Sequence, residues 1–224
     1  MDWQGKKINF LGDSITQGVG VSDPNNVFPV RLKQILGLAQ ARNYGVSATR
    51  IAPKKSSQTE VDVNTFLSRA QIMEEDADGV VVFGGTNDFG HGDAPLGTFA
   101  DRTEDTFYGA LHMLMQTLLR RFPGKVIVFL TPLHRLGEDD PRGSLNADGT
   151  PHKTYPDHPL ADYVAAIRQT AEYYSLPVLD LWAVSGLQPA VEEIRTRFVP
   201  DGLHPNDAGH ALLADRIAGF LKCI

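Results

Sequence analysis

Gly79-Val80-Val81-Val82-Phe83-Gly84-Gly85-Thr86-Asn87-Asp88 is an apolar run that stops at two glycines and then turns polar. Val80, Val81, Val82 and Phe83 do not alternate with polar residues, as they would in a strand with one face in water. The run is too short for a typical helix and rich in β-branched side chains, so it reads as a strand covered on both faces. Val126-Ile127-Val128-Phe129-Leu130 reads the same way. Two such strands imply a parallel sheet between layers of helices, and these two are expected near its centre.

Outward from this pair, shorter β-rich runs lie at Lys7 to Leu11, Arg42 to Tyr44 and Leu176 to Leu179, which makes five strands in all, counting Lys125 to Leu130 and Gly79 to Phe83. Between them, Phe107, Leu111, Leu114 and Leu118 recur at helical spacing, as do Ala214, Ile217, Ala218 and Leu221. The segments Phe28 to Leu36, Val61 to Ile72 and Leu160 to Tyr174 are the other expected helices, and Asn206 or Asp207 is suited to cap the last one. Strands alternating with helices predict an α/β fold with a five-stranded parallel sheet. The stretch from His134 to Pro159 carries four prolines, three histidines and no sustained period, so it is expected to be a long substrate or lid loop.

A chain of 224 residues fits one domain, 1–224, and its 42% hydrophobic content is enough for a packed core. With 21 Lys and Arg against 27 Asp and Glu, the net charge of -6 repels a phosphate backbone, so nucleic acid is not an expected partner. No apolar run approaches the ~20 residues that span a bilayer. The first residues, Met1 to Lys7, lead into only a short apolar stretch, which reads as a cytoplasmic protein without a signal segment. Cys223 is the only cysteine, which leaves no internal disulfide and no thiolate cluster for zinc, and it reads as a small apolar residue near the end of the last helix.

Four short blocks carry chemistry. Gly12-Asp13-Ser14-Ile15-Thr16-Gln17-Gly18 places a serine at the carboxyl end of the first strand, where open α/β sheets bind ligands. There one residue can supply both a nucleophilic hydroxyl and a backbone N–H for an oxyanion, although the same residues also suit a turn or a helix cap. Asp201-Gly202-Leu203-His204-Pro205 puts a carboxylate three residues before a histidine, close enough to fix its tautomer and leave the other ring nitrogen to accept a proton. Gly84-Gly85-Thr86-Asn87-Asp88 offers the Asn87 amide as a donor, or a glycine-rich turn and nothing more. Asn43-Tyr44-Gly45-Val46-Ser47 offers the Gly45 N–H as a third donor.

The order and context of these blocks resemble those of the SGNH hydrolases, also called the GDSL esterases and lipases, with Ser14, Gly45, Asn87 and His204 at the four lettered positions. The resemblance spans nearly the whole chain. It implies a flavodoxin-like three-layer α/β/α sandwich, a triad of Ser14, Asp201 and His204, and an oxyanion hole from the Ser14 and Gly45 N–H groups and the Asn87 side chain, with neither metal nor cofactor. Two positions depart from the pattern. Ile15 stands where the family name has Leu, and Ala48 replaces a glycine often found shortly after the one at Gly45. Thr16 occupies the last position of Gly-x-Ser-x-Gly, which argues against an ordinary α/β-hydrolase elbow.

The expected activity is hydrolysis of a small-molecule carboxylic ester through an acyl-enzyme. Arg135, Arg142, Asn146, His152, Lys153, Tyr155 and His158 make the 134–159 loop polar, which favours a short acyl group on a polar alcohol, such as an O-acetylated carbohydrate. A lysophospholipase or thioesterase is the nearest alternative. A metal-dependent phosphoesterase would use Asp13, Asp88, Asp201, His204 and His210 as ligands, but it leaves Ser14 and Asn87 without a role. His210 reads more simply as a residue of the last helix. A binding module without catalysis on the same fold is a further alternative.

Overall fold

A computed structural model, which describes residues 1–53 and 64–224, has the expected architecture. In chain order the elements are β1 (Lys7–Gly12), α1 (Ser14–Gln17), α2 (Phe28–Leu36), β2 (Gln40–Gly45), α3 (Phe66–Ile72), β3 (Gly79–Phe83), α4 (Thr86–His91) and α5 (Phe107–Arg121). There follow β4 (Val126–Leu130), α6 (Leu160–Tyr173), β5 (Val178–Leu179), α7 (Leu181–Val184), α8 (Glu192–Phe198) and α9 (Asp207–Cys223). The strands form one sheet in the order β2-β1-β3-β4-β5, and every pairing is parallel.

The unbroken apolar runs are explained by the packing. Val80 and Val82 of β3, with Ile127 and Phe129 of β4, join the core built by α3, α5 and α6. Val81, Phe83, Val128 and Leu130 point the other way, into the core built by α2 and α9. A strand buried on both faces cannot alternate, because each apolar side chain left in water would forgo about 1.5–3 kcal/mol. The result is a three-layer α/β/α sandwich. β1 is also interior, beside β3. It holds a buried Asn9 whose side-chain amide donates to the Glu74 carbonyl at 2.8 Å.

The long helices lie where the periodicity placed them, and Asn206 caps α9 by accepting from the Ala208 and Gly209 N–H groups. Of the helix expected over 61–72, Phe66–Ile72 is seen, capped by Thr65; residues 61–63 lie outside the described residues. β2 is longer than expected and β5 shorter. The short helices α1, α4, α7 and α8 have no sequence period long enough to announce them. Cys223 is the last residue of α9, where it was expected, and it is exposed. The 134–159 segment contains no helix and is pinned instead by backbone bonds, Leu136 N–H to Gly202 O at 2.9 Å and Ser144 N–H to Gly90 O at 2.8 Å. Among the described residues, no helix is long and apolar enough to cross a membrane.

Candidate active site

Parallel strands send β1, β2 and β3 out of the sheet at the same edge, so the segments that follow them meet there. Asp13 caps α1 by accepting from the Ile15 N–H at 3.0 Å, which turns the chain sharply and leaves Ser14 first in the helix. The Ser14 N–H precedes any intrahelical acceptor. Burial raises the Asp13 carboxyl to about 7, its hydrogen bond from Ile15 and the Arg69 charge opposing that shift.

From the far end of the chain, the turn before α9 brings His204 to Ser14. Ser14 Oγ and His204 Nε2 are 2.9 Å apart, and His204 Nδ1 is 2.7 Å from Asp201 Oδ2. The other carboxylate oxygen accepts from the Leu203 and His204 N–H groups at 2.9 and 2.7 Å, a turn that Gly202 allows with φ of 79°. Partial burial pushes the Asp201 carboxyl up, but these hydrogen bonds outweigh it and hold the group below its ordinary range. With Nδ1–H given to the carboxylate, Nε2 faces the hydroxyl as an acceptor, and the chain can take the serine proton.

Asn87 sits in the first turn of α4, buried, and its amide is held at both ends. Nδ2 donates to the Thr49 carbonyl at 3.0 Å, and Oδ1 lies 3.1 Å from His91 Nε2. Arg50 Nη1 donates to His91 Nδ1 at 2.6 Å, so Nε2 carries the ring hydrogen and donates to Asn87. One Asn87 N–H is thereby left for the cavity. Asp88 holds the same segment from below, accepting from Ile51 and Ala52 N–H at 3.1 and 2.8 Å. His91 and Arg50 escaped the sequence reading; the available signal was the spacing of Asn87 and His91, four residues apart on what proved to be a helix.

The block after β2 departs from expectation. The Gly45 N–H donates to Asn43 Oδ1 at 2.8 Å and does not face the cavity. Gly45 is needed for a different reason: a Cβ there would meet the Gln17 N and Thr16 C atoms of α1 at 2.3 and 2.6 Å. Ala48 lines the cavity instead, and among the described residues nothing accepts from its N–H. Its φ of 61° arises in a β-turn closed by Thr49 N–H to Val46 O, at a position that favours glycine. Gln17 Oε1 steadies this turn by accepting from the Ser47 N–H and hydroxyl, both at 2.6 Å.

A buried arginine on α3 ties these segments together. Arg69 donates to the Gly12 carbonyl at 2.7 Å, to the Tyr44 carbonyl and to Thr49 Oγ1 at 2.7 Å, so it joins the ends of β1 and β2 to the loop under Asn87. Gly84 also has a packing duty, since a Cβ there would meet the Phe66 ring at 2.4 Å. Gly85, at φ of 107°, starts α4.

Ser14, Ala48, Asn87, His91, Arg135, Ser144 and His204 line one cavity of about 240 Å³. Of the polar residues expected to line it from the 134–159 loop, only Arg135 does so, and others are engaged with partners in the loop or on α4 and α6. Arg142 pairs with Asp140 at 2.6 Å, His158 with Asp162 at 2.8 Å, and Lys153 lies over the Phe89 and Tyr163 rings. The residues of the metal-dependent alternative are not gathered into one ligand set. Asp13 and Asp88 serve backbone N–H groups, and buried His210 stacks on Phe28 and accepts its N–H at 3.2 Å.

A parallel sheet with serine, asparagine and histidine segments meeting at its carboxyl edge is the SGNH hydrolase fold. The chain belongs to the GDSL-like lipase/acylhydrolase family, whose model matches residues 10–212, and is a hydrolase. It is similar to a solved protein from Lactobacillus plantarum at 30% identity over 98% of both chains, with a TM-score of 0.80. A lipase/acylhydrolase from Enterococcus faecalis shares the fold at 22% identity and a TM-score of 0.62, over 97% of this chain and 95% of its own. So does a two-domain esterase active on acetylated mannans, at 20% identity and 0.62, over 98% of this chain and 50% of that one. No curated protein matches significantly.

Proposed function

We propose that the chain is a serine esterase that cleaves short-chain carboxylic esters, in particular O-acetyl groups of a carbohydrate. The observation that carries this reading is the Ser14–His204–Asp201 chain, at 2.9 and 2.7 Å, opening onto the cavity that Asn87 also faces. Ser14 Oγ attacks the ester carbonyl as His204 Nε2 takes its proton. The oxyanion accepts from the Ser14 N–H, the Asn87 amide and the Ala48 N–H, the last in place of the Gly45 N–H. His204 returns the proton to the departing alcohol, and water then frees the acyl group by the same route. Asp201 holds the imidazole in its tautomer and stabilises the imidazolium.

A cavity of about 240 Å³ suits a short acyl group better than a fatty chain. Arg135 and Ser144, the residues of the 134–159 loop that line the cavity, and the shared fold with the mannan-acting esterase make O-acetyl sugars the substrates to test first. The loop acts as one wall of the substrate site. Ser14→Ala should abolish hydrolysis of p-nitrophenyl acetate with the thermal transition unchanged, and an organophosphonate should label Ser14 once per chain. Activity within about tenfold of wild type in Ser14→Ala would sink the serine mechanism.

A further inference from the structure

The wall of the cavity contributed by the 134–159 loop carries an arginine, Arg135, that forms no ion pair among the described residues. Arg135 donates through Nη1 to the Thr86 carbonyl and hydroxyl oxygens, each at 3.3 Å, and through Nη2 to Ser144 Oγ at 3.0 Å. Its guanidinium carbon lies 5.4 Å from the centre of the Phe89 ring. The seat is built for it. A Cβ on Gly90 would come within 2.8 Å of Nη1, and the backbone bond from Ser144 to Gly90 holds the hydroxyl in place. The acids that face Arg135 are committed elsewhere. Glu138 accepts from the His134 ring and the Arg135 backbone N–H, both at 2.8 Å, Asp201 from His204, and Asp13 from Ile15. No carboxylate among the described residues forms an ion pair with Arg135, and its Nε donor is buried without an acceptor.

A guanidinium partly withdrawn from water onto neutral acceptors carries a desolvation cost, and the planar array of its donors matches a carboxylate, sulfate or phosphate. We propose that Arg135, with Ser144, is an anion subsite of this cavity, so that the preferred ester carries an anionic group close to the scissile bond. The proposal rests on the esterase reading for the reaction, but not for binding. Placed beside Ser14, the subsite selects among esters by charge, which neither an apolar pocket nor the negative net charge of the chain would do.

Two substrate pairs differing in one charge test it: p-nitrophenyl hemisuccinate against p-nitrophenyl butyrate for the acyl side, and acetylated glucuronate against acetylated glucose for the alcohol side. In at least one pair the wild type should favour the anionic member by about tenfold or more in kcat/KM. Arg135→Gln should bring that ratio close to one, and Arg135→Lys should keep part of it. Neither pair showing a preference, or Arg135→Gln lowering both members of each pair equally, would overturn the subsite. Calorimetry on the wild-type protein adds a reading that needs neither turnover nor a folded variant, with succinate expected to bind and succinamide not. Hydrolysis without charge preference refutes the subsite alone. Charge-dependent binding without ester hydrolysis refutes the esterase reading and supports the subsite.

Discussion

His91 Nε2 meets Asn87 Oδ1 at 3.1 Å, four residues along α4, and so decides which way the amide points. Burial, with the charges of Arg50 and Arg135, lowers the His91 imidazole to about 4, so the ring remains neutral and keeps its single hydrogen on Nε2 through the working range. Asn87→Ala should lower kcat by on the order of 100-fold with KM within a few-fold, and Asn87→Asp should be as bad or worse, since a carboxylate repels the oxyanion. His91→Ala should reproduce a weaker form of that kcat loss, about tenfold, and His91→Gln should recover part of it by supplying an N–H donor. Steady-state kinetics on one ester reads all four variants. Near wild-type kcat in Asn87→Asp would make Asn87 a turn residue.

Gly45 and Ala48 make opposite forecasts for stability. Gly45→Ala drives a Cβ into the backbone of α1 and should cost about 1–3 kcal/mol, seen as a lowered denaturation midpoint. Ala48→Gly relieves a left-handed φ that costs a non-glycine residue about 1–2 kcal/mol, partly offset by the freedom glycine gains when unfolded. The Ala48 variant should therefore be at least as stable as wild type. A stable Gly45→Ala protein would contradict the close approach of β2 and α1.

Arg69 should be a structural keystone whose loss reaches the site. Arg69→Met leaves the Gly12 and Tyr44 carbonyls and the Thr49 hydroxyl without their donor in a buried place, at a cost of about 3 kcal/mol or more. Chemical denaturation measures the first effect. Because Thr49 supports Asn87, kcat should fall as well, even in the fraction that folds.

Acid should test the buried histidine on α9. Burial lowers the His210 imidazole to about 4 from 6.5, so its contribution to stability is complete above 6.5 and is lost as pH falls through 4. His91 adds a loss of the same sign. Burial raises the carboxyls of Asp13 to about 7 and Asp88 to about 6, so theirs is complete below 3.8 and is lost as pH rises through those values. Between pH 4.5 and 6 the two pairs oppose each other, and wild-type stability should change little. His210→Asn removes one histidine from the balance, so that variant should gain on the order of 1.5 kcal/mol on going from pH 6 to 4.5 relative to wild type. Parallel pH profiles for the two proteins would refute this account of His210.

The layers of this fold were legible in the sequence because strand and helix follow from short-range periodicity. Val80 to Phe83 had to be covered on both faces whatever lay next to them, and Phe28 to Leu36 and the α9 pattern had to face a sheet. The pairing of Asp201 with His204 was legible for the same reason, since three residues of chain bring them together. Other choices are made between segments distant in the chain. Whether the Gly45 or the Ala48 N–H is free depends on Asn43 and on how closely β2 packs on α1, and neither is written in the block itself. Arg69 and His91 looked like ordinary polar residues and Arg135 like one of several in a polar loop, because a hydrogen bond to Gly12, Arg50 or Thr86 has no sequence period. Only when packing removes water do such groups have to find one another, and the tertiary structure alone says which partner each takes.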